Sequence, residues 1–156
     1  MVKNVFKKLG KKQKNNKGFS LVELIVVIAI MAVLVGVLAP QLIKYVEKSR
    51  EATDIQTCDN IATALKTYYA DEEVSASASA TDTTVTVTLS KKELGTGADA
   101  AVKDAGLTKA KIKGTKWTSD TIKIEYNKAD GTITYTGDSP YYHSENDQFK
   151  KGAKSK

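Results

Sequence analysis

The chain is 156 residues long, enough for one domain and an added segment. Its 24 basic and 18 acidic side chains give a formal charge of +6, but seven lysines (Lys3, Lys7, Lys8, Lys11, Lys12, Lys14 and Lys17) stand in the first 18 residues, where there is no acid. The remainder holds 17 basic against 18 acidic residues, so the excess charge belongs to the N-terminal tip and argues against nucleic acid as a partner. A lone cysteine, Cys58, excludes an intrachain disulfide and a cysteine-clustered zinc site, and a lone histidine, His143, leaves little for histidine-based catalysis.

After the lysine-rich tip comes Gly18, and then a long apolar run. From Leu24 to Ala39 no residue has a polar side chain, and across residues 19–43 the only charge is Glu23. As a helix those residues rise about 37 Å at ~1.5 Å each, enough to cross a hydrocarbon core of about 30 Å. A buried core helix of a soluble protein would show a polar face, and this segment has none. The lysines ahead of it predict a cytoplasmic N-terminus and an exported C-terminus. A secretory signal peptide cut after Val37-Leu38-Ala39 is the competing reading, but Pro40 follows at once and fits badly into an extended, protease-bound strand.

Glu23 is the anomaly. A carboxylate in an apolar span is costly, roughly 2.5–3.5 kcal/mol for Asp at a helix centre and less near an interface. It either snorkels to the headgroups or waits for a positive partner. The span offers no Lys, Arg or His, but a new α-amino group at Phe19, made by cutting after Gly18, would supply one.

The string Lys17-Gly18-Phe19-Ser20-Leu21-Val22-Glu23-Leu24, behind a basic leader and ahead of an uncharged apolar run, resembles the class III signal peptide of type IV pilins. The resemblance covers roughly the first 45 residues closely and the rest by architecture. It implies a leader of residues 1–18 that a membrane-embedded prepilin peptidase removes between Gly18 and Phe19. It also implies methylation of the Phe19 amine and an assembly role for Glu23, which would neutralise a neighbouring subunit's Phe19 N-terminus. Further implied partners are other copies of the chain in a homopolymer, an assembly ATPase and a membrane platform. The precursor would sit in the cytoplasmic membrane and the product in a surface filament. Pro40 matches the proline of pilin helices, and Gly36–Pro40 is the candidate for a stretch that kinks or melts in the filament. The missing cysteine pair resembles pilins of Gram-positive bacteria, and 23 lysines against the single Arg50 fit a clostridial type of genome.

Beyond Pro40 the run becomes amphipathic. Leu42, Tyr45, Ala52, Ile55, Cys58, Ala62, Leu65 and Tyr69 follow helical spacing and predict a core-facing stripe, with Lys44, Glu47, Lys48, Glu51 and Asp54 on other faces. One helix over residues 19–71 is expected. Residues 75–80, alternating Ser and Ala, read as a loop. Val85, Val87 and Leu89 predict a half-buried strand; residues 90–94 and 99–105 predict short helical turns, the second with Asp99 as N-cap and Gly106 as stop. A weak strand is expected at residues 116–118 and better ones at 121–126 and 132–136, joined by an Asp130-Gly131 turn. The fold class is therefore α+β: a long helix, apolar in its first half, packed through its second on a small antiparallel sheet of three or four strands. The domains are the leader at 1–18, the span at 19–43 and a head at 44–156.

In the head, Cys58 reads as a small buried residue and Trp117 as core. Pro140-Tyr141-Tyr142 could pack the tail on the sheet or form an exposed contact, and Lys150, Lys151, Lys154 and Lys156 read as a frayed basic tail that carries His143 ahead of it. There is no phosphate-binding loop, nucleophile elbow or metal motif, and the scattered aspartates lack calcium-loop spacing. No catalytic residue, cofactor or metal is expected. The function expected is that of a structural filament subunit for adhesion, motility or biofilm formation. A pseudopilin of type II secretion or a competence pilin for DNA uptake is the alternative, and a membrane-anchored adhesin that never polymerises is the third reading.

Overall fold

A computed structural model describes residues 18–70, 83–92, 94 and 100–154. The chain divides into two compact units, Met1–Gln41 and Leu42–Lys156. The first helix, α1, runs over Leu21–Tyr69. A second, α2, is a single turn at Ala100–Asp104. The strands are β1 (Thr84–Ser90), β2 (Thr121–Asn127), β3 (Ile133–Thr136), β4 (Tyr142–Glu145) and β5 (Gln148–Lys151). β1, β2 and β3 form an antiparallel sheet in that order, and β4 and β5 form a hairpin. This is the expected α+β class: a long apolar N-terminal helix followed by a small antiparallel sheet.

In the first unit, the helix begins after Ser20 and runs through Pro40 without a break. β-Branched Val and Ile lower helix propensity, but Leu, Ala and Met are interspersed among them and the only imino acid in the helix is Pro40. Pro40 has no N–H to offer the carbonyl of residue 36, so α1 lacks one internal hydrogen bond there. Every residue from Leu21 to Val46 is exposed on all faces, with large apolar side chains between 41% and 73% accessible.

In the second unit, the sheet lays one face on the helix. Two-residue alternation puts Val87, Leu89, Ile122, Ile124, Tyr126, Ile133 and Tyr135 inward. The register aligns Val87 with Ile124 and Ile124 with Tyr135, so the apolar side chains of three strands meet in one layer. Thr86, Glu125 and Thr134 align on the opposite face. Cys58, Ile61, Ala62 and Leu65 of α1 complete the core with Val102 of α2 and Trp117.

The helix stripe differs from expectation at its start. Leu42 and Tyr45 are 63% and 69% exposed and Ala52 is exposed, whereas Glu47, Glu51 and Asp54 are buried. Positions 47, 51, 54, 58, 61 and 65 form an unbroken 4-3-4-3-4 seam, so the three acids continue the line of Cys58, Ile61 and Leu65. Residue type assigned them to solvent; spacing assigns them to the core, and the hydrogen bonds described below make that burial tolerable.

Smaller expectations divide in the same way. Gly106 stops α2 with φ +69°, Leu107 N–H donating to Val102 O and Gly106 N–H to Lys103 O, the two bonds of a Schellman cap. The predicted N-cap Asp99 and the 75–80 segment lie outside the described residues. At 90–94 there is no helical turn among the described residues: Ser90 ends β1, and Leu94 bridges back to Leu89. Residues 116–118 are not strand; Thr118 N–H donates to Asp138 O at 2.7 Å and Trp117 is buried in an irregular loop. Gly131 takes φ +71° beside Asp130, whose Oδ1 accepts from the Thr132 amide and hydroxyl. The basic tail is not frayed over 148–151, which pair with β4; Lys150 meets Glu145 at 2.6 Å. His143 lies in β4, its Nδ1 2.9 Å from Gly152 O, and Tyr142 packs into the core.

Candidate functional site

Two features stand out, one in each unit. In the first, Gly18 and Phe19 precede the helix; a Cβ at Gly18 would meet nothing within 4 Å, and Phe19 is 90% exposed. The peptide bond between them is thus sterically open. Ser20 occupies the N-cap position and Glu23 the third helical position, and the Ser20 N–H donates to Glu23 Oε2 at 2.8 Å. Leu24 N–H donates to Ser20 O at 3.2 Å, the first bond of the helix. This is one arm of a capping box: the carboxylate satisfies a backbone donor that the helix leaves orphaned and sits where the helix dipole favours negative charge. The Ser-x-x-Glu spacing of this cap is visible in the sequence, and it gives Glu23 a local partner in addition to the amine expected at Phe19. Glu23 is thereby held at the start of the apolar surface. The helix is long and apolar enough to cross a membrane. Gly36 has open space around it, and the helix is intact from Gly36 to Pro40.

In the second unit, the buried acids of α1 fasten a loop. Asp54 accepts from Lys113 N–H and Gly114 N–H, each at 2.8 Å, and from the Trp117 indole N–H at 2.9 Å. Glu47 accepts from the Thr115 hydroxyl at 2.9 Å, from the Thr115 amide at 3.3 Å and from Arg50 at 3.4 Å. Burial pushes Glu47 up, but those donors outweigh it and hold its carboxyl below the ordinary value. Glu51 differs. Its Oε2 accepts from Ser139 Oγ at 2.5 Å, while Oε1 is buried with no hydrogen-bond partner. Ser139 Oγ also accepts from the amides of Tyr141 and Tyr142, so its hydrogen must point to Glu51. Burial, with Glu47 and Asp54 one turn away on either side, raises the Glu51 pKa despite the Ser139 bond. The close approach needs Gly114: a Cβ there would lie 2.7 Å from Glu51 Cγ and 2.9 Å from both Asp54 Oδ2 and Trp117 Nε1.

Burial also raises the Cys58 thiol pKa, aided by Asp54 and Asp59, so the thiol is protonated and inert at neutral pH. Burial likewise raises Tyr135, whose hydroxyl donates to Asp59 Oδ1 at 3.0 Å. The acids of the head therefore do structural work. Among the described residues no three His, Cys, Asp or Glu side chains are grouped to hold a metal ion.

Residues 13–39 match the family described as "Prokaryotic N-terminal methylation motif". The chain is also similar to "Prepilin peptidase-dependent protein A" of Clostridium perfringens (strain 13 / Type A), with 40% identity over 70 residues. That match covers 43% of this chain and 49% of the relative, so the chain spans about half the length of the curated relative it matches. No solved structure matches. The matched residues take in the open Gly18–Phe19 bond, Glu23 and the exposed helix as far as Ala39. Over its N-terminal segment the chain thus carries a prokaryotic methylation motif of the class III signal type and resembles a prepilin peptidase-dependent protein.

Proposed function

We propose that the chain is a structural subunit of a type IV pilus rather than an enzyme, built into a surface filament through its apolar helix. The observation that carries this reading is the wholly exposed apolar surface from Leu21 to Val46, directly behind the methylation motif. In water that surface would cost about 25 cal/mol per Å². In a bilayer it costs little, and apolar helices gain little there by associating, because lipid tails are equally apolar. A subunit of this kind is stored in the membrane and leaves it only for a bundle of like helices that stays dry.

In this reading residues 1–18 are the leader, 19–43 the filament-core helix and 44–156 the head. The peptidase cuts between Gly18 and Phe19 and the new Phe19 amine is methylated. Once cleavage frees that amine, Glu23 exchanges its local cap for the ammonium of a neighbouring subunit and sets register. The missing hydrogen bond at Pro40 makes Gly36–Pro40 the stretch that opens on assembly. Lifting the helix out of lipid requires work, which an assembly ATPase on a membrane platform supplies. Adhesion, motility or biofilm formation by the resulting fibre follows from its place on the surface.

The test is Glu23→Ala in cells that express the protein. Processing stays intact, and filaments recovered by shearing fall on immunoblots. A normal filament yield contradicts the assembly role. Electron microscopy of overexpressing cells separates the long fibres expected here from the short piston of a pseudopilin or competence pilin.

A further inference from the structure

The stretch just past the predicted span, residues 44–54, is nearly balanced in sequence, with three basic and three acidic side chains. Folding separates the two signs. Glu47, Glu51 and Asp54 are buried under the 113–117 loop, while Lys44, Lys48 and Arg50 stay exposed, and the loop adds exposed Lys113 and Lys116. The membrane-proximal end of the head therefore presents a basic surface. Lysine and arginine beside a span ordinarily collect on the cytoplasmic side, so a basic collar on the exported side runs against the usual bias.

A groove of about 390 Å³ lies within this collar. Leu42, Ile43 and Val46 give it an apolar wall; Arg50 and Lys116 supply the positive charge. Glu47 also lines it, but its carboxylate is engaged by Thr115 and Arg50 and only 6% of its side chain is accessible. Arg50 is 52% accessible, leaving guanidinium donors free to turn outward. Ile43 lies 24 residues beyond Phe19, about 36 Å of helix at ~1.5 Å per residue, which brings the groove to the headgroup layer on the exported side.

We propose that this groove binds the phosphate headgroup of an anionic phospholipid of the exported leaflet, seating the head on the membrane while the subunit awaits assembly. Arg50 and Lys116 grip the phosphate, Lys44 and Lys48 add attraction, and Leu42, Ile43 and Val46 take the glycerol end of the acyl chains. The proposal rests on the membrane-inserted precursor of the proposed function. Assembly then requires the subunit to release its lipid.

The test uses the full chain in nanodiscs of equal phosphatidylglycerol and phosphatidylcholine. Lipids retained after detergent release are counted by native mass spectrometry. Phosphatidylglycerol should be retained several-fold over its bulk share. The preference should fall to the bulk ratio in the Arg50→Gln, Lys116→Gln double variant and persist in Lys66→Gln, an exposed lysine far along α1. Lys116→Gln alone, in an exposed loop, should lower it part of the way and serves if the double variant loses its circular-dichroism signature. Retention at the bulk ratio by the wild-type chain, or undiminished preference in both variants, overturns the proposal. So does a photo-crosslinker at Val46 that captures a second copy instead of lipid. A chain that never enters the nanodisc fails earlier, at the membrane-inserted precursor itself.

Discussion

The two halves of α1 obey opposite rules. From Leu24 to Ala39 the helix is apolar on every face, yet every face is exposed. From Glu47 to Leu65 one seam is buried, and its first three members are carboxylates. Under the proposed function, apolarity in the first half marks surface for lipid or for other copies. Burial in the second half falls on acids because Glu47 and Asp54 meet backbone amides that would otherwise lack partners and Glu51 meets the Ser139 hydroxyl. Hydropathy alone places the first half but misplaces the acids of the second, which spacing and hydrogen-bond supply put in the core.

The comparison can be broken most forcefully at Asp54. Asp54→Ala orphans two amides and the Trp117 indole. It should destabilise the head by about 3–5 kcal/mol, read as a lowered thermal midpoint by near-ultraviolet circular dichroism of the full chain in detergent. Gly114→Ala should cost about 1–3 kcal/mol, because the added methyl meets the Glu51 stem and the Asp54 carboxylate. By contrast Leu34→Ala, at a residue 53% exposed, should leave the head's midpoint within about 0.5 kcal/mol while lowering the yield of sheared filaments. A large stability loss at Leu34, or none at Asp54, would erase the distinction between the two halves.

Glu51 sharpens it further through pH. Its folded-state pKa is raised above the ordinary carboxylate value of 4.5, so the native head holds a proton that the unfolded chain releases. The stabilisation is complete below about 4.5 and declines as pH rises through the folded-state value. Glu47 is lowered and acts in the opposite sense: its contribution is present above about 4.5 and is lost as pH falls through its folded-state value. Glu51→Gln keeps an acceptor for Ser139 and cannot ionise. Melting curves of this variant against pH should lose the decline on the alkaline side while keeping the acid-side loss that Glu47 causes. An unchanged profile would mean that Glu51 is ionised in the native head.

Much of this was readable in the sequence, and the failures share a cause. The apolar run, the Gly18-Phe19 and Glu23 motif, the strands that carry Leu89 and Tyr126 and the Asp130-Gly131 turn are local signals, fixed by residues next to one another. The burial of Glu47 and Asp54 depends on amides, and that of Glu51 on the Ser139 hydroxyl, all more than 50 positions away, which no local pattern records. The hairpin of Tyr142–Glu145 and Gln148–Lys151 was missed for a related reason: His143, Lys150 and Lys151 look solvated by type, and only their pairing beside β3 makes them strand. Phe149 was the available clue, an apolar residue amid lysines that reaches Trp117 and Tyr135.

The central claim is that the exposed apolar helix is a filament core released by cutting a leader. Mass spectrometry of the N-terminal peptide from native cells tests it most directly. The account predicts a peptide beginning at a methylated Phe19; a mature protein that still begins at Met1, or at Pro40, would contradict it.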